Sequence, residues 1–312
     1  MRSICVAILM LCSLLSTTFA QSAEDQPIPL QEQIEFLFEP GRNLLDVKLA
    51  VDAMVDPSVN TAAMKAMIER MVADISAMAG ENATNASKLD ALKLYLYESG
   101  PWNDHRPFQY DLDDPLGEKP ANRLLQRYLT TRRGNCITMP ILFLAIGQRL
   151  GLTMTLAEAP LHVLVKYTDD DGKIWNLETT SGGGFTRDAW YRQKLPMSDK
   201  AVASGVYLRP LTHEEATALI AVFLVEHHLG RSEFEDAIDV SDALLRHYPT
   251  FAYGLVKKGS AYSGLLRREL AGKYARIEDI PADIKLKADQ WYGQSVAAFA
   301  KAEAIGWQPE GG

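Results

Sequence analysis

The sequence has little cysteine, few aromatic residues and no excess of positive charge. Three of 312 residues are cysteine, 9% are aromatic, and 32 Lys and Arg stand against 40 Asp and Glu. The net charge of −8 argues against a protein built to neutralise phosphates, so we expect no nucleic-acid partner. With 47% hydrophobic and 23% charged residues, the composition is that of a folded globular protein with one large or two ordinary domains.

The first twenty residues have the pattern of a secretory signal peptide. Arg2 precedes an apolar run of about a dozen residues, and small residues lead to Ala20. The run is shorter than the roughly 20 residues that a transmembrane helix needs, and no later segment comes closer. We therefore expect residues 1–20 to be removed, which leaves an exported, periplasmic mature chain without a membrane span.

Removal of the signal peptide would leave one thiol, that of Cys136, because Cys5 and Cys12 lie in the signal. A single cysteine excludes an internal disulfide in a compartment that usually oxidises thiols. Such a residue is either a small buried hydrophobe or a reactive group. The residues around Cys136 indicate a reactive group.

Cys136 stands directly before an almost continuous apolar run from Ile137 to Ile146. A helix that is apolar on every side is buried on every side, so we expect a central helix here. Pro140 is tolerated only near the first turn, which predicts that the helix begins at about residues 135–138. Cys136 is then at, or just ahead of, the first turn.

This position predicts a nucleophilic sulfur. Unpaired N–H groups and the helix dipole favour an anion, and Arg132 and Arg133 add positive charge nearby. We therefore expect Cys136 to be ionised. Its own backbone N–H is a candidate donor to an oxyanion, although the other donors are not readable from the sequence.

A thiolate nucleophile needs a base, and His162 is the candidate. His162 lies in an alternating strand, residues 161–167, and a turn leads to a second strand, residues 173–178. The two strands form a hairpin. Its second strand ends at Glu178, whose carboxylate could fix the tautomer of the imidazole.

The loop of this hairpin decides whether the acid reaches the histidine. If the loop is centred on Asp170, Glu178 lies directly across from His162, with β carbons roughly 5 Å apart. If Asp171 and Gly172 form a two-residue turn, Glu178 falls three places away. Asn176 shares the face of Glu178 and is the alternative orienting residue.

A thiol at the start of a buried helix, followed by a hairpin with histidine and then an acid, resembles the transglutaminase-like branch of the papain-like superfamily. The closer resemblance is to SirB-type bacterial proteins, which join such a core to tetratricopeptide helices. It rests on residues 89–100, 124–144, and 159–165 with 176–183. Two features depart from the family. Glu178 stands where Asp is usual, and Asn135-Cys136-Ile137 stands where many SirB-type proteins have Gly-Ile-Pro.

The resemblance implies an α+β fold with a helical lead-in, a papain-like core in which a buried helix packs on a small antiparallel sheet, and C-terminal tetratricopeptide-like repeats. We predict helices over residues 214–229, 233–248, 250–266 and 286–305, or about two degenerate repeats. The predicted divisions are a signal peptide (1–20), a helical region with a loop (21–117), the core (118–212) and the repeat region (213–312).

The sequence therefore predicts cysteine-dependent acyl chemistry on an amide, with Cys136 as nucleophile, His162 as base and Glu178 as the orienting acid. Hydrolysis and transfer both remain open. The alternative is a non-catalytic scaffold whose helical tail binds a peptide or protein. We expect no cofactor and no metal, because no companion ligands at metal spacing accompany His227, His228 and His247 of the tail.

Overall fold

The computed structural model describes residues 28–309, so the predicted signal peptide lies outside the described residues. Within residues 28–309, no helix is both long and apolar enough to cross a membrane. The described chain is mostly helical and carries one four-stranded antiparallel sheet, which confirms the predicted α+β class.

Four helices form the lead-in, and polar residues at their starts explain where three of them begin. Asn43, Asn60 and Thr84 each accept a hydrogen bond from a backbone N–H three residues on, as N-caps do. Met64 and Met71 are buried on one face of the third helix together with Ile68 and Ile75, so they fill the core. The helices are α1 (Leu30–Glu35), α2 (Leu44–Val55), α3 (Thr61–Ala79) and α4 (Asn85–Tyr97).

A short strand pair and one small helix lead into the core. Strand β1 (Gln109–Tyr110) pairs in parallel with β2 (Arg133–Gly134), and α5 (Leu125–Thr131) lies between them in the chain. The pairing ties the loop before the core to the residues directly ahead of Cys136. That loop therefore reaches the candidate site.

The central helix α6 (Thr138–Arg149) begins inside the predicted interval and is buried over its first ten residues. The side-chain oxygen of Asn135 accepts from the N–H groups of Ile137 and Thr138, at 3.1 and 3.0 Å. Pro140 is the third residue of the helix, where its missing N–H costs little. Gly151, at φ +81°, follows the C-cap Leu150, where helices commonly end in a left-handed glycine.

The sheet has the order β3-β4-β5-β6, with every neighbouring pair antiparallel. One face packs against α6, and the other contacts the short helices that follow the sheet. The strands are β3 (Thr153–Ala159), β4 (His162–Thr168), β5 (Ile174–Glu178) and β6 (Gly184–Thr186), and the following helices are α7 (Asp188–Lys194) and α8 (Asp199–Ala203).

The hairpin register differs from both predicted registers. Val165 pairs with Leu177, and Thr168 pairs with Ile174. The same register, continued by one residue, places Leu164 opposite Glu178. Glu178 is thus diagonal to His162 on the same face. The loop is organised by Asp169, whose carboxylate accepts from two backbone N–H groups of the loop and from the indole N–H of Trp175.

Four helices form the C-terminal region: α9 (His213–Gly230), α10 (Phe234–His247), α11 (Ala252–Leu270) and α12 (Ala282–Ala304). All four were predicted, although α12 begins four residues earlier and α11 ends four residues later than expected. Helix α9 packs against α2 and β3, and one apolar cluster runs from Ile34 to Leu265. The tail and the core therefore share a hydrophobic interior.

The residues after α12 return to the core. The hydroxyls of Ser198 and Ser204 donate to the carbonyls of Gly306 and Ile305, at 2.7 and 2.6 Å. Gly306 has φ +104°, and an added β carbon would lie 2.4 Å from the backbone nitrogen of Ala201. Only glycine fits this close approach.

Candidate active site

Cys136 lies two residues before α6, and its side chain is buried. Its thiol donates a hydrogen bond to the carbonyl of Leu161, with 3.5 Å between Sγ and the oxygen. Its backbone N–H donates to the carbonyl of Pro115 at 3.1 Å. The N–H group that the sequence offered as an oxyanion donor is therefore occupied in this structure.

The resting sulfur is a neutral thiol, which corrects the expected thiolate. Burial raises the pKa of Cys136 to about 11. The hydrogen bond from its own backbone N–H lowers this pKa but does not offset the effect of burial. The thiol is therefore protonated at neutral pH.

The cation that acts on the sulfur is Arg123, not the predicted Arg132 and Arg133. The positive charge of Arg123 opposes the effect of burial and lowers the pKa of Cys136. Arg132 instead donates to the carbonyls of Asn103 and Arg106, and Arg133 pairs with aspartates of the preceding loop. Sequence analysis missed Arg123 because it stands thirteen residues before the cysteine, outside any motif.

His162 and Glu178 are brought together as predicted, although through a different register. The Nε2 atom of His162 lies 2.8 Å from Oε2 of Glu178. Diagonal neighbours on a sheet are about 7–8 Å apart at the backbone, a span suited to long side chains. The extra methylene of glutamate, compared with the usual aspartate, helps to cover this diagonal.

The carboxylate of Glu178 is bound by four donors and is ionised. Burial alone would raise its pKa, but hydrogen bonds from His162, Thr180 and Tyr191 hold that pKa below the usual value. The hydroxyl of Tyr191 donates to Oε2 at 2.7 Å, and the backbone N–H and hydroxyl of Thr180 donate to Oε1 at 3.0 and 2.6 Å. This arrangement assigns a proton to Nε2 of His162, which leaves Nδ1 to act as the base.

Tyr191 is a site residue that sequence analysis missed. It comes from α7, is fully buried, and has its ring centroid 5.9 Å from that of His162. Burial, and after it the negative charge of Glu178, raise the pKa of its hydroxyl, so the hydroxyl stays a donor. Nothing in the spacing from Glu178 to Tyr191 signals this contact.

The alternative orienting residue, Asn176, has a different partner. Its side-chain amide donates to Asp188 at 2.7 Å, and Lys166 lies 3.3 Å from the same carboxylate oxygen. Glu178, rather than Asn176, contacts the imidazole.

Cys136 and His162 line one cavity of about 570 Å³. The tip of the β3–β4 hairpin forms one part of its wall, and α9, α11 and residues 307–309 form another. At the hairpin tip, Leu161 has φ +52°, a region that L-residues other than asparagine and aspartate rarely adopt. Its strained backbone presents the carbonyl that holds the thiol.

Charged residues of both the core and the tail lie on the wall of the cavity. Glu226 of α9 accepts from Arg123 and Tyr253 and lies 3.0 Å from the ammonium of Lys257. Glu158 of β3 is 8% exposed and accepts from the hydroxyl of Tyr248 at 3.1 Å. Burial raises the pKa of Glu158 to about 8, so it is largely protonated at neutral pH.

The structure gives His228 two acidic neighbours that sequence analysis did not find. Among the described residues, Glu233 and Asp236 place carboxylate oxygens within 4.8 Å of a ring nitrogen of His228. Nδ1 of His228 already forms a hydrogen bond with Glu233 at 2.8 Å. These contacts link the end of α9 to the start of α10. His247 stacks on Phe38, with centroids 3.7 Å apart, and joins the tail to the lead-in.

Comparison with known proteins gives the family. A UPF0162 protein of Xylella fastidiosa (strain 9a5c) is 21% identical over 248 residues, which are 77% of this chain and 84% of that protein. A UPF0162 protein of Buchnera aphidicola subsp. Baizongia pistaciae is 23% identical over 144 residues, 45% of this chain and 53% of its own. No solved structure matches the chain significantly.

These relatives are consistent with the SirB-type branch that the sequence resembles. A family model described as the transglutaminase-like superfamily matches residues 62–220. The match covers just over half of the chain and contains α6, the whole sheet and the three residues of the predicted triad. The chain therefore belongs to the transglutaminase-like superfamily.

Proposed function

We propose that this protein is a cysteine-dependent amide acyl hydrolase or acyltransferase. His162 takes the proton of the Cys136 thiol, and the sulfur attacks the amide carbonyl. The carbon–nitrogen bond then breaks, and His162 returns the proton to the leaving amine. Water or a second amine attacks the resulting thioester, which regenerates the thiol and completes hydrolysis or transfer.

The contact between His162 and Glu178 is the observation that carries this proposal. An ionised carboxylate on Nε2 fixes the tautomer in which Nδ1 is a base, and it stabilises the imidazolium that forms when the thiol gives up its proton. The thiol of Cys136 donates a hydrogen bond to the carbonyl of Leu161, the residue that immediately precedes His162. Cys136 and His162 also line the same cavity.

Alkylation kinetics test the proposal. The rate of labelling of Cys136 by iodoacetamide would be followed by intact-mass spectrometry from pH 6 to pH 10. We expect a rate plateau near neutral pH that falls at least tenfold in His162→Ala, because the imidazole supplies the base. The matched control is His105→Ala, in the loop before the core. Equal rates in the wild type and His162→Ala would refute the proposal.

One observation favours a second candidate, a non-catalytic scaffold with the partner bound through the helical tail. The thiol is buried, and its raised pKa of about 11 is that of an inert cysteine. If this reading holds, the labelling rate rises steadily up to pH 10 and is the same without His162. The same experiment therefore separates the two candidates.

We also propose that the protein is exported to the periplasm, with residues 1–20 as the signal. The charged start, apolar run and small residues before Gln21 support this location. Fractionation of cells that express the full chain, with sequencing of the mature N-terminus, tests it. We expect periplasmic protein that begins at Gln21, and an uncleaved cytoplasmic chain would contradict the proposal.

A further inference from the structure

The cavity beside Cys136 has the size of a small-molecule site. Ligand pockets commonly enclose about 300–1,000 Å³, and this cavity encloses about 570 Å³. Cys136 and His162 both line it, so a molecule inside it lies next to the proposed nucleophile and base. The residues of the wall therefore indicate what kind of group can lie beside the reacting amide.

Apolar side chains from three parts of the chain bound this space. Ile137, which directly follows the proposed nucleophile, and Ile141 lie four positions apart at the start of α6. Leu219 and Phe223 are likewise four positions apart on α9, and Trp307 contributes from the segment after α12. Because residues four apart share a helix face, each pair presents a continuous apolar surface. The space beside the sulfur is therefore bounded largely by hydrocarbon.

The cations of the wall are paired with acids. Nζ of Lys48 lies 2.5 Å from the carboxylate of Asp52, and both side chains are almost fully buried. Arg123 donates to Glu226, and the ammonium of Lys257 lies 3.0 Å from that same carboxylate. Each lysine and arginine that lines the cavity within residues 28–309 therefore has a carboxylate partner.

The other acids of the cavity region do not supply a buried unpaired anion. Burial lowers the pKa of Arg123, and the negative charges of Asp114 and Glu118 oppose that effect, so both acids act on this guanidinium. Burial raises the pKa of Glu158 to about 8, so this carboxyl is largely neutral at pH 7. An ion that enters the cavity would therefore lose its water without gaining an unpaired counter-charge. The cavity favours an uncharged, apolar group.

We infer that the cavity binds an uncharged amide that carries an apolar chain, with the chain lying against Ile137, Ile141, Leu219 and Phe223. This inference rests on the proposed function for the statement that the amide is a substrate. Each methylene of the chain that leaves water should strengthen binding about fourfold. Affinity should therefore rise steeply with the length of the chain, and a charge at the amide position should weaken it.

Binding to a thiol-free protein tests the inference separately from catalysis. The full chain carrying Cys136→Ala would be titrated calorimetrically at pH 7 with N-methylacetamide, N-methylhexanamide and hexanoate. We expect N-methylhexanamide to bind at least about tenfold more tightly than N-methylacetamide, because its chain has four more methylenes to bury. Hexanoate has the same chain but a negative charge in place of the amide, and it should bind at least about threefold more weakly than N-methylhexanamide.

A substitution that fills the cavity tests where the chain binds. Leu219→Trp, made in the thiol-free protein, adds bulk to the wall and should weaken the binding of N-methylhexanamide at least about tenfold. The matched control is Leu112→Trp, because Leu112 is 78% exposed and does not belong to the wall; its affinity should stay within about twofold. Thermal melting checks that the variants fold. If Leu219→Trp does not fold, Leu219→Gln takes its place and should reduce the preference for the longer amide at least about threefold, because it adds a polar group to the wall.

Four results would overturn the inference. They are equal binding of the two amides, binding of hexanoate as tight as that of N-methylhexanamide or tighter, no binding of any probe, and a preference unchanged in the folded Leu219 variant. A preference for the longer amide together with His162-independent alkylation would overturn the proposed function alone. His162-dependent alkylation without any effect of chain length would overturn only this inference.

Discussion

Replacement of Glu158 by glutamine should remove a specific part of the pH dependence of stability. Burial raises the pKa of this carboxyl from its ordinary value of 4.5 to about 8. The folded state therefore keeps a proton that the unfolded state releases above pH 4.5. Glutamine keeps an oxygen that can accept from Tyr248, but it does not ionise.

The size of the effect follows from linkage. The protonated carboxyl of Glu158 contributes its full stability to the folded state below pH 4.5. That contribution is lost as the pH rises to about 8, because the unfolded state gives up the proton and the folded state keeps it. Each pH unit in this window is worth about 1.4 kcal/mol. Between pH 5 and pH 8, the free energy of unfolding of Glu158→Gln should rise by about 4 kcal/mol relative to that of the wild type.

Urea unfolding at pH 5, 6, 7 and 8, followed by tryptophan fluorescence, measures this difference. Comparison with the wild type at each pH removes the contributions of other groups, including the nearby Arg209 and Glu215 pair. Glu118→Gln, which changes an exposed acid of the same cavity, should run parallel to the wild type. Parallel curves for Glu158→Gln would show that the native carboxyl is ionised and would refute the reasoning.

Three further substitutions address the site. Tyr191→Phe removes a donor to the charged Glu178. We expect the free energy of unfolding, measured with urea, to fall by about 1.5–3 kcal/mol and the alkylation of Cys136 to slow; unchanged values would contradict the role of the hydroxyl. Leu161→Gly removes the steric strain of a left-handed backbone, but the more flexible glycine makes the unfolded chain more favourable in entropy. Because the two effects oppose each other, the free energy of unfolding should change by less than about 1 kcal/mol, and a larger loss in urea unfolding would argue against strain at Leu161. Arg123→Gln should raise the thiol pKa of Cys136 further, so alkylation between pH 9 and pH 11 should slow, and faster labelling would show that the charge acts elsewhere.

Local patterns predicted the elements of the core well. The apolar run and Pro140 correctly predicted where α6 begins. Both signals lie within the segment itself, because a proline restricts its own neighbours and an all-apolar helix is buried on every side. The alternation around His162 predicted its strand for the same reason. The four tail helices were also predicted, with differences of up to four residues at their ends.

The register and the state of the sulfur could not be predicted in this way. The register depends on the carboxylate of Asp169, which accepts three hydrogen bonds within the hairpin. The alternation of polar and apolar residues along a strand does not indicate such contacts. The protonation of Cys136 depends on burial and on Arg123, whose guanidinium is itself bound by Glu226 of the tail. Contacts between residues a hundred positions apart leave no local signal.

The return of the chain to the core after α12 has a consequence for the order of assembly. Trp307 and Pro309 belong to the cavity wall, and Gly306 secures their approach to α8. During synthesis, Cys136 and His162 are made well before these residues, so a partly made chain has its reactive groups without their enclosure. The enclosure forms after these residues have been made, so we expect a chain cut after residue 304 to keep Cys136, His162 and Glu178 but to leave the sulfur more accessible to bulky reagents.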